Sequence, residues 1–93
     1  MILTSQIKSR DAFHAVVTVE MRSFTTTQSD EVFFLLGIDL VTGDVNISNG
    51  MKQGSSKLPE LPANDPDEIE QAAAYATLDF LRHLEGAQDD PEN

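Results

Sequence analysis

Two histidines, His14 and His83, are the side chains best suited to acid–base chemistry near neutral pH. A catalytic triad or a metal site would need partners at fixed spacing, and the sequence contains no H-x-x-x-H, no G-x-S-x-G and no cysteine. His83 falls near the end of a predicted helix, where a cation complements the helix dipole. We therefore predict that neither histidine is catalytic and that the protein is not an enzyme.

Four carboxylates, those of Asp65, Asp67, Glu68 and Glu70, lie close together and could in principle collect a divalent cation. Their spacing does not match a calcium loop, which alternates Asp or Asn before a glycine and a distal Glu. Asp65 as a helix cap, with Glu68 three residues later, forms a capping box without any ligand. We expect no metal. The dispersed glycines begin no phosphate-binding loop, so we expect no other cofactor.

The chain is acidic, with 16 Asp and Glu against 6 Lys and Arg in 93 residues, a net charge of −10. Ten of the acids lie in residues 60–93, where Arg82 is the one base, whereas residues 1–59 are nearly balanced. Phosphate binding requires clustered bases, so we expect no direct nucleic-acid binding and no binding to an anionic membrane. The acidity favours a protein partner with a basic surface, or it serves solubility alone.

The absence of cysteine excludes disulfides, zinc–thiolate sites and thiol nucleophiles, and it fits a reducing compartment. No apolar run approaches the ~18 residues of a membrane span, and the N-terminus lacks the regions of a signal peptide. We therefore predict a cytoplasmic protein.

Residues 13–24 alternate between apolar and polar side chains, which predicts a half-buried strand whose odd positions face the core. Residues 31–41 are apolar on both faces, which predicts a central strand covered at least partly on both sides. Gly43 suits a short hairpin turn, after which Val45 and Ile47 resume the alternation. These segments predict three antiparallel strands in chain order.

The remaining segments give weaker or different signals. The first eight residues, with Ile2, Leu3 and Ile7, fit a fourth, edge strand or an irregular arm. Residues 50–64 lack periodicity and contain two prolines, so we predict an irregular surface crossing.

A helix is predicted over residues 66–85, because Asp65 and Pro66 are typical of a helix start and Gly86 of a helix stop. The residues at helical spacing that should face the sheet are Ile69, Ala72, Ala73, Ala76, Phe80 and Leu84. The predicted fold is α+β, an antiparallel meander of three strands, or four with the N-terminal segment, with one C-terminal helix on one face. Residues 1–86 form the predicted single domain and residues 87–93 a disordered acidic tail.

The predicted helix carries a second group that points away from the sheet, namely Tyr75, Leu78 and Arg82. Tyrosine and arginine are enriched among binding hot spots, so this group is a candidate partner-binding patch. Asp67, Glu68 and Glu70 would steer a basic partner towards it. Single exposed apolar residues are also ordinary, which is the alternative interpretation.

A second candidate surface is the sheet face that carries Val16, Phe33 and Leu35. One helix about 30 Å long covers just one face of a sheet, so the other face needs a cover. The candidates for that cover are the N-terminal segment, residues 50–64, or a second copy of the protein, which would make a homodimer.

In size and charge, this small, cysteine-free, acidic α+β chain resembles small phage- or plasmid-encoded inhibitors, including anti-CRISPR proteins, and bacterial immunity proteins. The resemblance implies an inhibitor of a nucleic-acid-handling complex that docks its acidic face on a basic surface. The alternative is a structural or assembly protein that dimerises through the second sheet face. An enzyme would have to rely on Asp or Glu, with Ser, Thr or Tyr as nucleophile.

Overall fold

A computed structural model describes residues 2–24, 29–62 and 64–89. In chain order these residues form β1 (Ile2–Arg10), β2 (His14–Phe24), β3 (Ser29–Asp39), β4 (Asp44–Ser48), β5 (Gln53–Lys57) and α1 (Pro66–Asp89). The strands pair antiparallel in the order β1-β2-β3-β4-β5, and α1 packs on one face of the sheet. The predicted α+β fold is confirmed, with five strands in place of three or four.

The two additional strands form the two edges of the sheet. The first residues are strand β1, one of the two predicted alternatives, and a register shift between Ile7 and Ser9 interrupts its pairing with β2. The predicted irregular crossing over residues 50–64 is wrong in part, because β5 lies inside it. The carboxamide of Asn49 accepts hydrogen bonds from the N–H groups of Met51 and Lys52, and this turn directs β5 back along β4.

The core lies between the sheet and α1. Ile69, Ala73 and Phe80 of α1 are buried, as the helical spacing predicted, and Ala72 and Leu84 pack at the margin of the core. The ring of Phe80 meets Phe34 of β3 edge to face, with centroids 6.4 Å apart. The buried side chains from the sheet are Ala15, Val17, Val19, Phe34, Leu36, Ile38, Val45 and Ile47.

Close packing of α1 on β5 depends on a glycine. A Cβ atom placed at Gly54 would overlap the ring of Phe80, so any side chain there would force either that ring or the helix that carries it to shift. Gly37 differs, since a Cβ atom there would meet no atom within 4 Å.

The helix begins as predicted and ends later than predicted. The carboxylate of Asp65 accepts a hydrogen bond of 2.9 Å from the N–H of Asp67, which is an N-cap. The predicted stop at Gly86 is wrong, because α1 continues to Asp89. A glycine inside a helix costs only about 1 kcal/mol, which makes it a weak terminator. Of the predicted disordered tail, residues 87–89 are helical, and residues 90–93 lie outside the described part of the chain.

Candidate functional site

The outer side of α1 presents the predicted partner-binding patch. Tyr75 is 66% exposed, Arg82 is exposed, and Leu78 is half-buried. Their spacing of three and four residues places them side by side on the helix, opposite the stripe that faces the core. The structure therefore brings the three residues together as predicted, with Leu78 less accessible than its neighbours.

The three carboxylates assigned to partner steering divide into two kinds. Asp67 and Glu68 are exposed in the first turn of α1. Glu70 is half-buried, and its Oε2 accepts a hydrogen bond of 3.0 Å from the backbone N–H of Ile7 in β1. Glu70 thus ties the helix to an edge strand, so its carboxylate already has a partner within the chain.

A groove between α1 and the loop before it was missed by the sequence analysis. The groove encloses about 470 Å³. Two Leu-Pro pairs in a loop directly before an acidic helix are the sequence signal that could have indicated it. We name it the acidic groove, and the residues that line it are Leu58, Pro59, Glu60, Leu61, Pro62, Glu68, Gln71, Ala72 and Tyr75.

The loop wall of the acidic groove is attached to the sheet at both ends. The N–H of Leu58 donates a hydrogen bond of 2.9 Å to the carbonyl of Gly43, and the Leu58 side chain is buried. Gly43 has a positive φ of 83°, and the Leu61 side chain lies against it. Further along, the guanidinium of Arg10 donates to the carbonyl of Asn64 at 3.1 Å. These contacts hold the described residues of the wall against the sheet.

Two aspartates hold the turns at this end of the sheet. The Asp39 carboxylate accepts hydrogen bonds from the N–H groups of Val41 and Thr42, at 2.8 and 3.0 Å. The Asp11 carboxylate accepts from Phe13 and His14 in the same way, at 2.7 and 2.8 Å. These backbone bonds stabilise the ionised form and lower the pKa of each aspartate. Both carboxylates therefore serve to stabilise the turns that they cap.

Each histidine has a nearby acidic residue as its partner. His14 Nδ1 lies 3.9 Å from an Asp11 carboxylate oxygen. His83 Nδ1 lies 2.9 Å from the Asp79 carbonyl oxygen and 3.6 Å from the Asp79 carboxylate. Among the residues that the structure describes, no group of three or more His, Asp and Glu side chains is placed to hold a metal ion.

The sheet face opposite α1, which we name the open face, carries the second candidate surface. Phe33 is 60% exposed and Leu35 is 49% exposed on the central strand β3, and Val16 beside them is half-buried. Because β1 and β5 lie at the sheet edges, neither segment proposed as a cover lies over this face. The prediction that β3 is covered on both sides is thus wrong for the single chain.

The open face differs from the acidic groove in its shape and in the arrangement of its charged residues. A depression of about 350 Å³ lies around Gly37, between Val16 and Leu35 on one side and β4 and β5 on the other. Towards the other end of β2, Arg22 Nε lies 3.0 Å from a carboxylate oxygen of both Glu20 and Glu31. The hydrogen bond from Arg22 lowers the pKa of Glu20. The charges on this face are therefore mixed and paired.

The described residues thus offer two candidate binding surfaces on opposite sides of one sheet. The acidic groove and the patch beside it lie on the helix side, and Val16, Phe33 and Leu35 lie on the open face. In the described ranges, no helix is both long and apolar enough to cross a membrane. No protein-family model, no curated protein and no solved structure matches this chain.

Proposed function

We propose that this chain is a small, non-enzymatic, cytoplasmic binding protein that docks its acidic helix side on a basic surface of a protein partner. The observation that carries the proposal is the charge distribution on the loop and helix. Six carboxylates and the single base Arg82 lie between residues 60 and 84, and the exposed Tyr75 lies among them. Such a field attracts a Lys- or Arg-rich surface and repels nucleic acid and anionic membranes.

The partner class that fits this surface is a nucleic-acid-handling complex. The carboxylates would take positions that nucleic-acid phosphates otherwise occupy, so binding of this chain would inhibit the complex. Tyr75 and Arg82 would supply short-range contacts after the charges have steered the approach. Inhibitors of this kind are encoded by phages and mobile elements, and anti-CRISPR proteins are examples.

Capture from a nuclease-treated bacterial lysate tests the proposal. We expect a basic partner to be retained at about 0.1 M salt and released towards about 1 M, where the screening length falls from roughly 10 to roughly 3 Å. The double variant Tyr75→Ala/Leu78→Ala should lose the partner, whereas Phe33→Ser on the open face should keep it. Adding the wild-type chain should then reduce binding of nucleic acid by the captured partner.

Failure to capture any basic partner would contradict the proposal, and so would either of two results obtained with a captured partner. One is full capture by the Tyr75→Ala/Leu78→Ala variant while its thermal stability is unchanged. The other is a captured partner whose nucleic-acid binding is unaffected by an excess of this chain.

A second candidate function is a structural or assembly protein that dimerises through the open face, and the exposure of Phe33 and Leu35 supports it. The five strands, about 4.8 Å apart, make a surface roughly 24 Å wide on which a second copy could stack. Face-to-face stacking would also place the two acidic helices on the outside, far from each other. Sedimentation should then show a dimer that Phe33→Ser converts to a monomer, and a wild-type monomer at high concentration would exclude it.

A further inference from the structure

We infer that the acidic groove binds an extended segment of a basic protein, in which one large apolar side chain is flanked by Lys or Arg residues. The inference deepens the proposed function and rests on it, because it names the part of the partner that the helix side would contact. Its occupant is argued from the apolar lining, the charges at the rim and the fixed shape of the groove.

The lining provides a site for an apolar anchor. Leu61 is 53% exposed and Tyr75 is 66% exposed, and Pro59, Pro62 and Ala72 add further apolar surface to the groove. A volume of about 470 Å³ lies in the range of pockets that hold compact ligands, and it accommodates a large side chain together with the adjoining backbone. Covering these exposed side chains removes apolar surface from water, which favours binding.

The charges of the groove select what flanks the anchor. Glu60 stands on the loop wall and Glu68 on the helix wall, and the described residues that line the groove include no Lys, Arg or His. A Lys or Arg on each side of the anchor would find a carboxylate on each wall. An acidic segment or a nucleic-acid backbone would meet two like charges, so charge complementarity points to a basic segment.

The groove exists before any ligand arrives. Pro59 and Pro62 restrict the backbone of the loop wall, and the bonds from Leu58 to Gly43 and from Arg10 to Asn64 hold its two ends. The opposite wall is a helix whose inner side is packed in the core. Because the described parts of both walls are already held in place, ordering of the groove adds little to the entropic cost of binding, which falls mainly on the segment.

A peptide titration of the full chain tests the inference. The probe is a nine-residue peptide with one leucine between two Lys-Arg pairs, and a second peptide carries serine in place of that leucine. In ¹H–¹⁵N spectra we expect saturable shifts centred on Leu61, Glu68 and Tyr75. The serine peptide should bind at least about tenfold more weakly, since serine leaves the apolar lining of the groove uncovered.

Matched charge variants test the part played by the rim. Glu68→Gln and Glu31→Gln each remove one exposed charge, Glu68 from the groove and Glu31 from the open face. We expect Glu68→Gln to weaken leucine-peptide binding about two- to fivefold, as for an exposed ion pair, and Glu31→Gln to change it by less than about 1.5-fold. The thermal midpoints should show that both variants are folded.

Three results would overturn the inference: equal affinity for the leucine and serine peptides, largest shifts on the open face, or no binding at millimolar peptide. These failures differ from failure of the proposed function. If the peptide does not bind while Tyr75→Ala/Leu78→Ala still abolishes partner capture, the groove inference is wrong and the proposed function stands. If the peptide binds in the groove and no basic partner is captured, the groove inference stands and the proposed function is wrong.

Discussion

Consecutive residues of one strand show how different the two faces of the sheet are. Phe34 is 2% exposed and contacts Phe80 of α1, whereas Phe33 is 60% exposed on the open face. The two share a side-chain type and a strand, and they differ only in the side of the sheet on which alternation places them. The stability of the single chain therefore depends on the helix side, and the open face is free to serve another purpose.

The largest expected difference in stability is between two variants that each remove one aromatic ring, one on the helix side of the sheet and one on the open face. Phe80→Ala should lower the free energy of unfolding by about 3–5 kcal/mol, because it leaves a cavity in the core. Phe33→Ala should change it by no more than about 0.5 kcal/mol, as is usual for a surface site. Urea unfolding of both variants, followed by circular dichroism, measures the difference.

If Phe33→Ala lowered the free energy of unfolding as much as Phe80→Ala does, the two sides of the sheet would not differ in their contribution to stability. Such a result would mean that the open face is covered in solution, and the loss should then increase with protein concentration, as expected when unfolding is coupled to dissociation.

The two strand glycines should respond to alanine in opposite directions. Gly54→Ala should destabilise the protein by about 1–3 kcal/mol, because the new methyl group overlaps the ring of Phe80. Gly37→Ala meets no atom within 4 Å and should stabilise the protein by about 0.4–1 kcal/mol through the unfolded chain. Thermal midpoints measured side by side would decide this, and a midpoint that rises in both variants would show that the packing around Phe80 adapts to a side chain at Gly54.

Glu70 gives a smaller test of how α1 is attached to the sheet. Glu70→Ala removes the acceptor for the N–H of Ile7 and should cost about 0.5–1.5 kcal/mol. Glu70→Gln keeps an oxygen acceptor and should cost less than Glu70→Ala. Hydrogen exchange at the Ile7 amide should accelerate in the alanine variant, and unchanged exchange would show that the hydrogen bond does not protect this edge.

The smallest expected effect concerns the turns, which belong to neither face. The pKa values of Asp11 and Asp39 are lower in the folded chain than their ordinary values. Their contribution to stability is therefore complete above the ordinary pKa, near pH 4, and is lost as pH falls through the lowered pKa. The variant Asp11→Asn/Asp39→Asn should show a weaker fall of the thermal midpoint below pH 4, and curves of equal slope would exclude this role.

The fold was predictable from the sequence where apolar and polar side chains alternate with a regular period. The pattern of β2, β3 and the inner stripe of α1 predicted most of the side chains that form the core. It was wrong for Phe13, the first position of the alternation, which lies before β2 and is 60% exposed. Strand β5 was missed because its sequence, Gln-Gly-Ser-Ser-Lys, has no apolar alternation, and the Asn49 turn and backbone pairing with β4 define it instead. Thr77 was also missed, because its fully buried hydroxyl is satisfied by the carbonyl of Ala73 one turn earlier.

The candidate surfaces were predictable to different degrees. The helical wheel placed Tyr75 and Arg82 on the outer side of α1, since that depends only on helix geometry. The acidic groove depends on long-range contacts, such as Leu58 to Gly43 and Arg10 to Asn64, that no local pattern reveals. The apolar residues on both sides of β3 indicated a covered strand, but such a pattern does not say whether the cover comes from the same chain.

The order of the elements along the chain has a consequence for biosynthesis. Helix α1 follows all five strands, yet Glu70 bonds to Ile7 in the first of them. A chain whose strands have emerged from the ribosome before α1 therefore exposes apolar side chains of both sheet sides to water, Leu36 on one and Phe33 on the other. Productive folding must wait for α1, so a delay between the emergence of the strands and that of α1 lengthens the interval in which the chain is most prone to aggregate.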